Sequence, residues 1–393
     1  MKIVVTVMVR DEADIIAAMV EHHLAQGVDL MIVTDNGSVD GTREILADYA
    51  ATGRVELHDD PVHEKQQSSV VTAMARRAYT EHGADWVINA DADEFWLPVD
   101  RSLTLRTALE QIPVDLVTWP VPVVNMTGVA AHRGTGIRRL TYRDLRSDES
   151  LMEKAGLHAQ PTADAIHVGS PDVEVVQGNH FVNLESTGRP APELELEVLH
   201  LPWRSYEQYS RKVEATGLAY EASPDKRPSP NHHGMRDYRR LRAGNLYEFY
   251  AFRHPLVGEQ GADVGPDFAY DPILVELLES IDPVVPRHLA AALSSSTDGD
   301  VTPEEHLAGT ELARRLLPVE IERVEAVTKL TLENRALVAR MRDAERKLTK
   351  SRAAHKKAVA AQAQASRPRS GSRLVGVLRD PRRLFRAVRR RLG

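Results

Sequence analysis

Cysteine is missing from the 393-residue chain, and with it go thiolate nucleophiles, zinc–sulfur sites and disulfides. That suits a reducing compartment. Long apolar runs are missing too, since no stretch approaches the roughly 18 uninterrupted apolar residues of a membrane-spanning helix. The opening Met1-Lys2-Ile3-Val4-Val5-Thr6-Val7 has no charged segment followed by an apolar run and a small-residue cleavage site. No signal peptide is expected. After this first apolar run comes Arg10-Asp11-Glu12-Ala13, which supplies acids where a phosphate-cradling loop would supply glycines and a lysine.

What is present is enough hydrophobic sequence, 42%, for one large α/β domain plus additions. The formal charge of −7 conceals an asymmetry. From Thr302 onward the chain has 23 Lys and Arg against 10 Asp and Glu, while the rest has 27 against 47. An acidic body with a basic tail is the coarse picture.

Along the body, short β-branched runs alternate with segments of helical spacing. Lys2–Val9, Asp29–Thr34, Val55–Leu57, Trp86–Ala90 and Asp115–Val124 read as strands. Helices are expected between Ile15 and Leu24 (closed by Gly27), from the Asp35–Thr42 turn to about Tyr49, over Gln66–His82 and around Leu105–Ile112. That rhythm predicts a wound, mostly parallel sheet flanked by helices. Between about Gly128 and His200 short strand-like pieces (Ala165–Val168, Val173–Val176, His180–Leu184) alternate with Gly, Pro and Asn. They suggest an antiparallel half with loops that shape an acceptor pocket. Helices return at Ser205–Gly217 and Asp271–Ser280.

The stretch that organises the rest is Trp86-Val87-Ile88-Asn89-Ala90-Asp91-Ala92-Asp93-Glu94-Phe95. An apolar strand stops at three carboxylates, and the carboxyl end of a parallel strand is where α/β proteins bind ligands. Asp91 and Asp93, one residue apart, can reach toward one divalent ion; Mg²⁺ and Mn²⁺ favour such oxygen ligands beside phosphates. An exposed acidic turn is the plainer reading of Asp-x-Asp alone.

Arg10-Asp11-Glu12, then Asp35-Asn36-Gly37-Ser38-Val39-Asp40-Gly41-Thr42, then Asp91-Ala92-Asp93-Glu94-Phe95 occur in that order. In this the chain resembles family 2-like glycosyltransferases of the GT-A fold, in the branch that overlaps with family 92. Glu21-His22-His23-Leu24, Gly178-Asn179-His180 and His200-Leu201-Pro202-Trp203-Arg204-Ser205 fit the same pattern. The resemblance implies a GT-A-like domain over residues 1–302 and transfer of a sugar from a nucleotide-sugar donor, a UDP-sugar, to a glycan or lipid-linked acceptor by inverting displacement. It implies that Asp35 accepts a hydrogen bond from the base and that Arg10, Asp11 and Glu12 line the same pocket. Asp91 would face the ribose or the metal, Asp93 would ligate Mn²⁺ or Mg²⁺, and His200 would complete the shell. Asn36 departs from the aspartate common there, and the usual catalytic-base motif has no counterpart.

The chemistry asks for a cation across the diphosphate, which Arg204 or Lys212 could assist, and for a base near the acceptor hydroxyl. Glu94, Glu174, Glu185 and His180 are the base candidates. The duller readings are an Asp35 that only caps the following helix, a structural His200, and His22 and His23 as packing or surface residues. Rival functions are a nucleotidyltransferase and a non-catalytic sugar-binding or scaffold protein.

Beyond Pro303 the sequence changes character. Residues 303–362 read as one long helix in which Val327, Leu330, Asn334, Leu337, Met341, Ala344 and Leu348 follow heptad spacing. Homodimer pairing through that seam is one reading; a solvated helix packed on its own domain is the other. Residues 363–393 form a basic, partly apolar tail, with ten arginines and one aspartate from Ser366 on. The tail is expected to meet an anionic membrane surface, which would place the protein in the cytoplasm and peripherally at the inner face of the membrane. A disordered tail is the alternative, and no specific nucleic acid is expected.

Overall fold

Seven residues of strand β1 (Ile3–Val9), buried at all but one position, form the spine of the first sheet. The computed structural model describes residues 1–60, 67–147, 162–176, 178–221, 233–294 and 299–366. Strand β1 pairs in parallel with β2 (Leu30–Asp35) and β4 (Trp86–Ala90), and β2 with β3 (Val55–Asp59). The helices between them are α1 (Ile16–Ala25), α2 (Thr42–Ala51) and α3 (Gln67–Thr80). Side chains of β1, β2 and β4 fill cores on both faces of the sheet, as near-continuous apolar strands require. Gly27 ends the first crossover at φ 91°, a backbone conformation that excludes most side chains.

Strand β5 (Glu94–Pro98) leaves the first sheet after three residues. It joins β10 (Leu196–His200), β7 (Val123–Thr127), β8 (Tyr142–Asp144) and β11 (Phe268–Tyr270) in a second sheet. The first is completed by β9 (Asp164–Val168), antiparallel to β4, and β6 (Thr118–Val121). The loop Asp91–Asp93 is therefore the step from one sheet to the other.

The single strand expected over Asp115–Val124 is replaced by a 3₁₀ turn and two strands in different sheets. Pro122 stands at the switch; it has no N–H for a ladder but its carbonyl accepts from Val198 N–H at 2.9 Å. The pieces at Val173–Val176 and His180–Leu184 share an isolated bridge, Val175 to Val182, flanked by bonds from Val176 N–H to the Phe181 carbonyl and from Asn183 N–H to the Glu174 carbonyl. After a short helix α4 (Leu105–Leu109), the chain adds α5 (Tyr206–Glu221), α6 (His233–Ala243), α7 (Leu246–Ala251), α8 (Ile273–Ser280) and α9 (Pro286–Ser294).

The last helix, α10 (Pro303–Ala365), runs 63 residues. The chain divides into two compact units, residues 1–325 and 326–393. The boundary expected after residue 302 is thus displaced, because Ala313 and Leu317 are buried with Phe249 and Arg240 binds Glu320 at 2.6 Å. Among the described residues no helix is long and apolar enough to cross a membrane. The expected membrane contact rests on residues 367–393, which lie outside the described residues.

Candidate active site

Parallel pairing of β1, β2 and β4 delivers Arg10 to Glu12, Asp35 and Asp91 to one rim of the sheet. The two upstream motifs are stitched into one structure. Asp11 sits at φ 54°. Its N–H donates to Ser38 Oγ at 3.0 Å, and its Oδ1 accepts from Val39 N–H at 2.8 Å. Glu12 N–H donates to Thr42 Oγ1 and Ala13 N–H to Asp40 Oδ2. Asn36 Nδ2 donates to the Asp60 carbonyl at 2.8 Å, which gives the departure at that position a task. Asp35 is buried in the cage so formed. Its Oδ2 accepts from the N–H groups of Gly37 and Ser38, both at 3.1 Å, while its Oδ1 is buried with no partner. Arg10 remains half exposed beside Asp11.

A second corner forms around Asp93. Antiparallel pairing of β5 and β10 sets His200 against Glu94, and Leu201 N–H donates to the Asp93 carbonyl at 2.9 Å. The imidazole Nε2 of His200 lies 3.7 Å from Asp93 Oδ1, and its Nδ1 donates to Asn125 Oδ1 at 2.9 Å. Lys212, from α5, donates to Asp93 Oδ2 at 2.8 Å. Arg204 is fully buried and spreads its guanidinium over three carboxylates: Glu12, Asp14 (Nε to Oδ2, 2.7 Å) and Asp93 (3.4 Å). Burial pushes the Asp93 carboxyl up, but Lys212, His200 and Arg204 together outweigh it and hold it well below the usual range. Burial raises Glu12 to about 7 against the pull of Arg204 and Lys212.

The phosphate-binding role expected of Arg204 does not fit this geometry, because the group has no exposed surface and its donors go to three carboxylates and the Leu201 carbonyl. Lys212 keeps the role open, with a side chain 45% exposed.

The third corner surrounds Asp91. Its Oδ1 accepts from Gln67 Nε2 and Asn179 Nδ2, each at 3.1 Å, and its N–H donates to Glu94 Oε2 at 2.9 Å. Strand β9 brings Asp164 alongside. Asp164 is buried, accepts from His180 Nδ1 at 2.8 Å through Oδ1, and has an unpartnered Oδ2. Burial raises Asp91 to about 6, with Asp93 and Asp164 adding repulsion. Burial, Asp164 and Asp91 push Glu94 well above the carboxylate range.

The base candidates now separate. Glu174 is 72% exposed and pairs outward with Arg76, and Glu185 is exposed. Glu94 is buried, favours its protonated form and anchors the Asp91 backbone. His180 alone combines partial exposure, 33%, with a carboxylate that orients it. A Cβ on Gly178 would lie 2.8 Å from His180 Nε2, so glycine makes room for the ring.

Asp14, Asp164 and Gln67 escaped the sequence reading. Asp164 left a usable signal, an acid at the mouth of the strand-like Ala165-Ile166-His167-Val168. His22 and His23 are packing residues. His22 Nε2 donates to the Trp96 carbonyl at 2.8 Å, and His23 Nδ1 to the Met19 carbonyl at 2.8 Å.

For a divalent ion, the donors Asp91, Asp93 and His200 are chemically suitable. Among the described residues, no group of three or more acids or histidines is already drawn together as a metal shell. The 3.7 Å between Asp93 Oδ1 and His200 Nε2 is longer than a hydrogen bond.

The sequence model of glycosyltransferase family 92 matches residues 3–115. No curated protein sequence matches the chain. Among solved structures, S. aureus TarS is similar over 81% of this chain and 55% of its own, at 11% identity and a TM-score of 0.28. Its residues 1–349 in complex with UDP are similar over 80% of this chain and 92% of theirs, at 10% identity and 0.29. Glucosyl-3-phosphoglycerate synthase from Mycobacterium tuberculosis, in complex with Mn²⁺, UDP and glucosyl-3-phosphoglycerate, is similar over 70% of this chain and 91% of its own, at 14% identity and 0.24. The family match spans β1 to α4 and takes in all three acidic motifs. Over residues 3–115 the chain is similar to glycosyltransferase family 92, the likeness that its motifs pointed to.

Proposed function

We propose that the protein transfers a sugar from a nucleotide-sugar donor, a UDP-sugar, to a hydroxyl of a glycan or lipid-linked acceptor, with inversion and with a divalent cation. The observation that carries this reading is the lone Oδ1 of Asp35, a buried acceptor without a donor. Such an atom is costly unless a ligand N–H meets it, and a uracil ring offers one. Asp11 and Ser38 brace the loop that would close on the base, and Arg10 stands at its edge.

Asp91, Asp93 and His200 would hold Mn²⁺ or Mg²⁺, which neutralises charge on the leaving diphosphate as a Lewis acid. Lys212 is the exposed cation able to meet a phosphate oxygen there. Across the rim, His180 keeps its Nδ1 proton on Asp164, so its Nε2 lone pair is the proton acceptor. It takes the acceptor hydroxyl proton as that oxygen bonds to the anomeric carbon and the carbon–diphosphate bond breaks. Glu94 holds the Asp91 backbone in place.

Thermal shift with UDP plus Mn²⁺ tests the reading. Wild type is expected to be stabilised, and Asp35→Asn and Asp93→Asn to lose the response. His180→Ala should keep the shift yet lose turnover across a panel of nucleotide sugars. A wild type indifferent to UDP overturns the assignment of donor.

A further inference from the structure

Every described side chain from residue 332 to 366 is exposed. Residues 326–393 form a unit of their own, and among the described residues the helix there has no packed core. It nonetheless carries Val327, Leu330, Leu337, Met341 and Leu348 in the open. A polar helix meant only for solvent has no reason to place these on one stripe. The stripe has heptad period, with Val327, Asn334, Met341 and Leu348 at the a positions and Leu330, Leu337 and Ala344 at d. It spans about 33 Å of helix.

We propose that this stripe pairs with the same stripe of a second copy, as a parallel, in-register two-stranded coiled coil. The occupant is fixed by Asn334. In parallel register Asn334 meets Asn334 of the second copy, and the two amides hydrogen-bond across the seam, the arrangement that specifies register and two strands. Antiparallel overlap of the same seam packs a positions against d positions, so Asn334 meets Leu337 or Ala344 of the second copy and its amide is buried without a partner. A β-branched residue at the first a position, with leucine at two of the three d positions, also favours two strands. The flanking charges agree in part. Arg340 at g faces Glu345 of the second copy at e, while Lys347 faces Arg352 of the second copy and repels it. One attraction beside one repulsion leaves the apolar seam and Asn334 to set the pairing.

The test uses the full chain, which contains no cysteine. Sedimentation equilibrium at micromolar concentration should give twice the 43.7 kDa chain mass. Leu330→Lys combined with Leu337→Lys should give the single-chain mass with an unchanged near-ultraviolet tryptophan spectrum, since all four tryptophans lie before residue 204. In a separate variant, Asn334→Cys places one thiol per chain on the seam, and mild oxidation should convert the protein to a covalent dimer. A single-chain mass for the wild type overturns the proposal, as does a double variant that stays dimeric. A dimer that Asn334→Cys fails to cross-link overturns the parallel register.

Discussion

Asp91 and Asp93 leave the same strand two residues apart, and their surroundings treat them in opposite ways. Asp93 faces a lysine, an arginine and an imidazole, and is held ionised well below the normal range. Asp91 has side-chain amides as its hydrogen-bond partners, and burial and the charge of Asp93 outweigh the pull of Lys212 and His200 and raise it to about 6. The difference arises from topology. Asp91 belongs to the edge where β4 runs beside β9, which contributes Asp164 and no cation. Asp93 already faces the second sheet, where the chain after β10 contributes Arg204 and Lys212. One corner is thus prepaid in positive charge and the other is short of it. An acidic pair with that imbalance can accept one more cation on the Asp91 side at little cost.

Removing Arg204 attacks the first corner hardest. Arg204→Ala leaves Glu12, Asp14 and Asp93 without their shared cation, and a loss of about 3–5 kcal/mol in urea denaturation is expected. Arg204→Lys should restore only part, since a point charge cannot span three carboxylates. Were Arg204 a phosphate ligand, the alanine variant would keep its stability and lose only UDP affinity. Asp93→Asn comes next, at about 3 kcal/mol, because it strands Lys212 and Arg204 on a neutral amide.

How far the sequence could reach follows from the same contrast. The position of Asp35 and Asp91 at the rim of the sheet was legible because each stands at the end of an apolar strand, with Asp93 two residues beyond Asp91. The burial of Arg204 was not legible because its partner Asp14 lies 190 positions away, and no local pattern reveals which cations a fold turns inward. Asp164 was passed over for a like reason, since its neighbours come from β4 and from the loop at Gly178. Strand β5 was hidden by its own composition. Glu94-Phe95-Trp96-Leu97-Pro98 is buried on both faces and shows no alternation to mark it. Pro122 likewise divides what reads as one apolar run.

Acid should sharpen the view of what is buried away from both corners. Burial lowers His22 to about 4 and His23 to about 3, from 6.5. Above pH 6.5 both rings are neutral in folded and unfolded chains and cost nothing. Below it the unfolded chain takes up protons that the folded chain refuses, so stability falls as pH drops toward 4. The structural reason is plain at His23, whose Nε2 must accept from Trp96 N–H and cannot do so once protonated. At about pH 5 the expected loss is about 2 kcal/mol per ring, and His22→Gln should remove its share of the slope in denaturation midpoints.

The smallest expected effect is the most discriminating one for the acidic pair. Asp91→Asn removes a buried charge that burial, Asp93 and Asp164 all oppose, and it keeps an oxygen able to accept from Gln67 and Asn179. At pH 7, above the raised value of about 6, the wild-type carboxylate is charged and bears that repulsion in full. The variant should therefore be unchanged or more stable by about 1 kcal/mol, whereas Asp93→Asn loses stability. Both should lose the response to UDP plus Mn²⁺. A loss in Asp91→Asn as deep as that in Asp93→Asn would show that the charge on Asp91 is itself compensated, and the electrostatic contrast between the two corners would have to be abandoned.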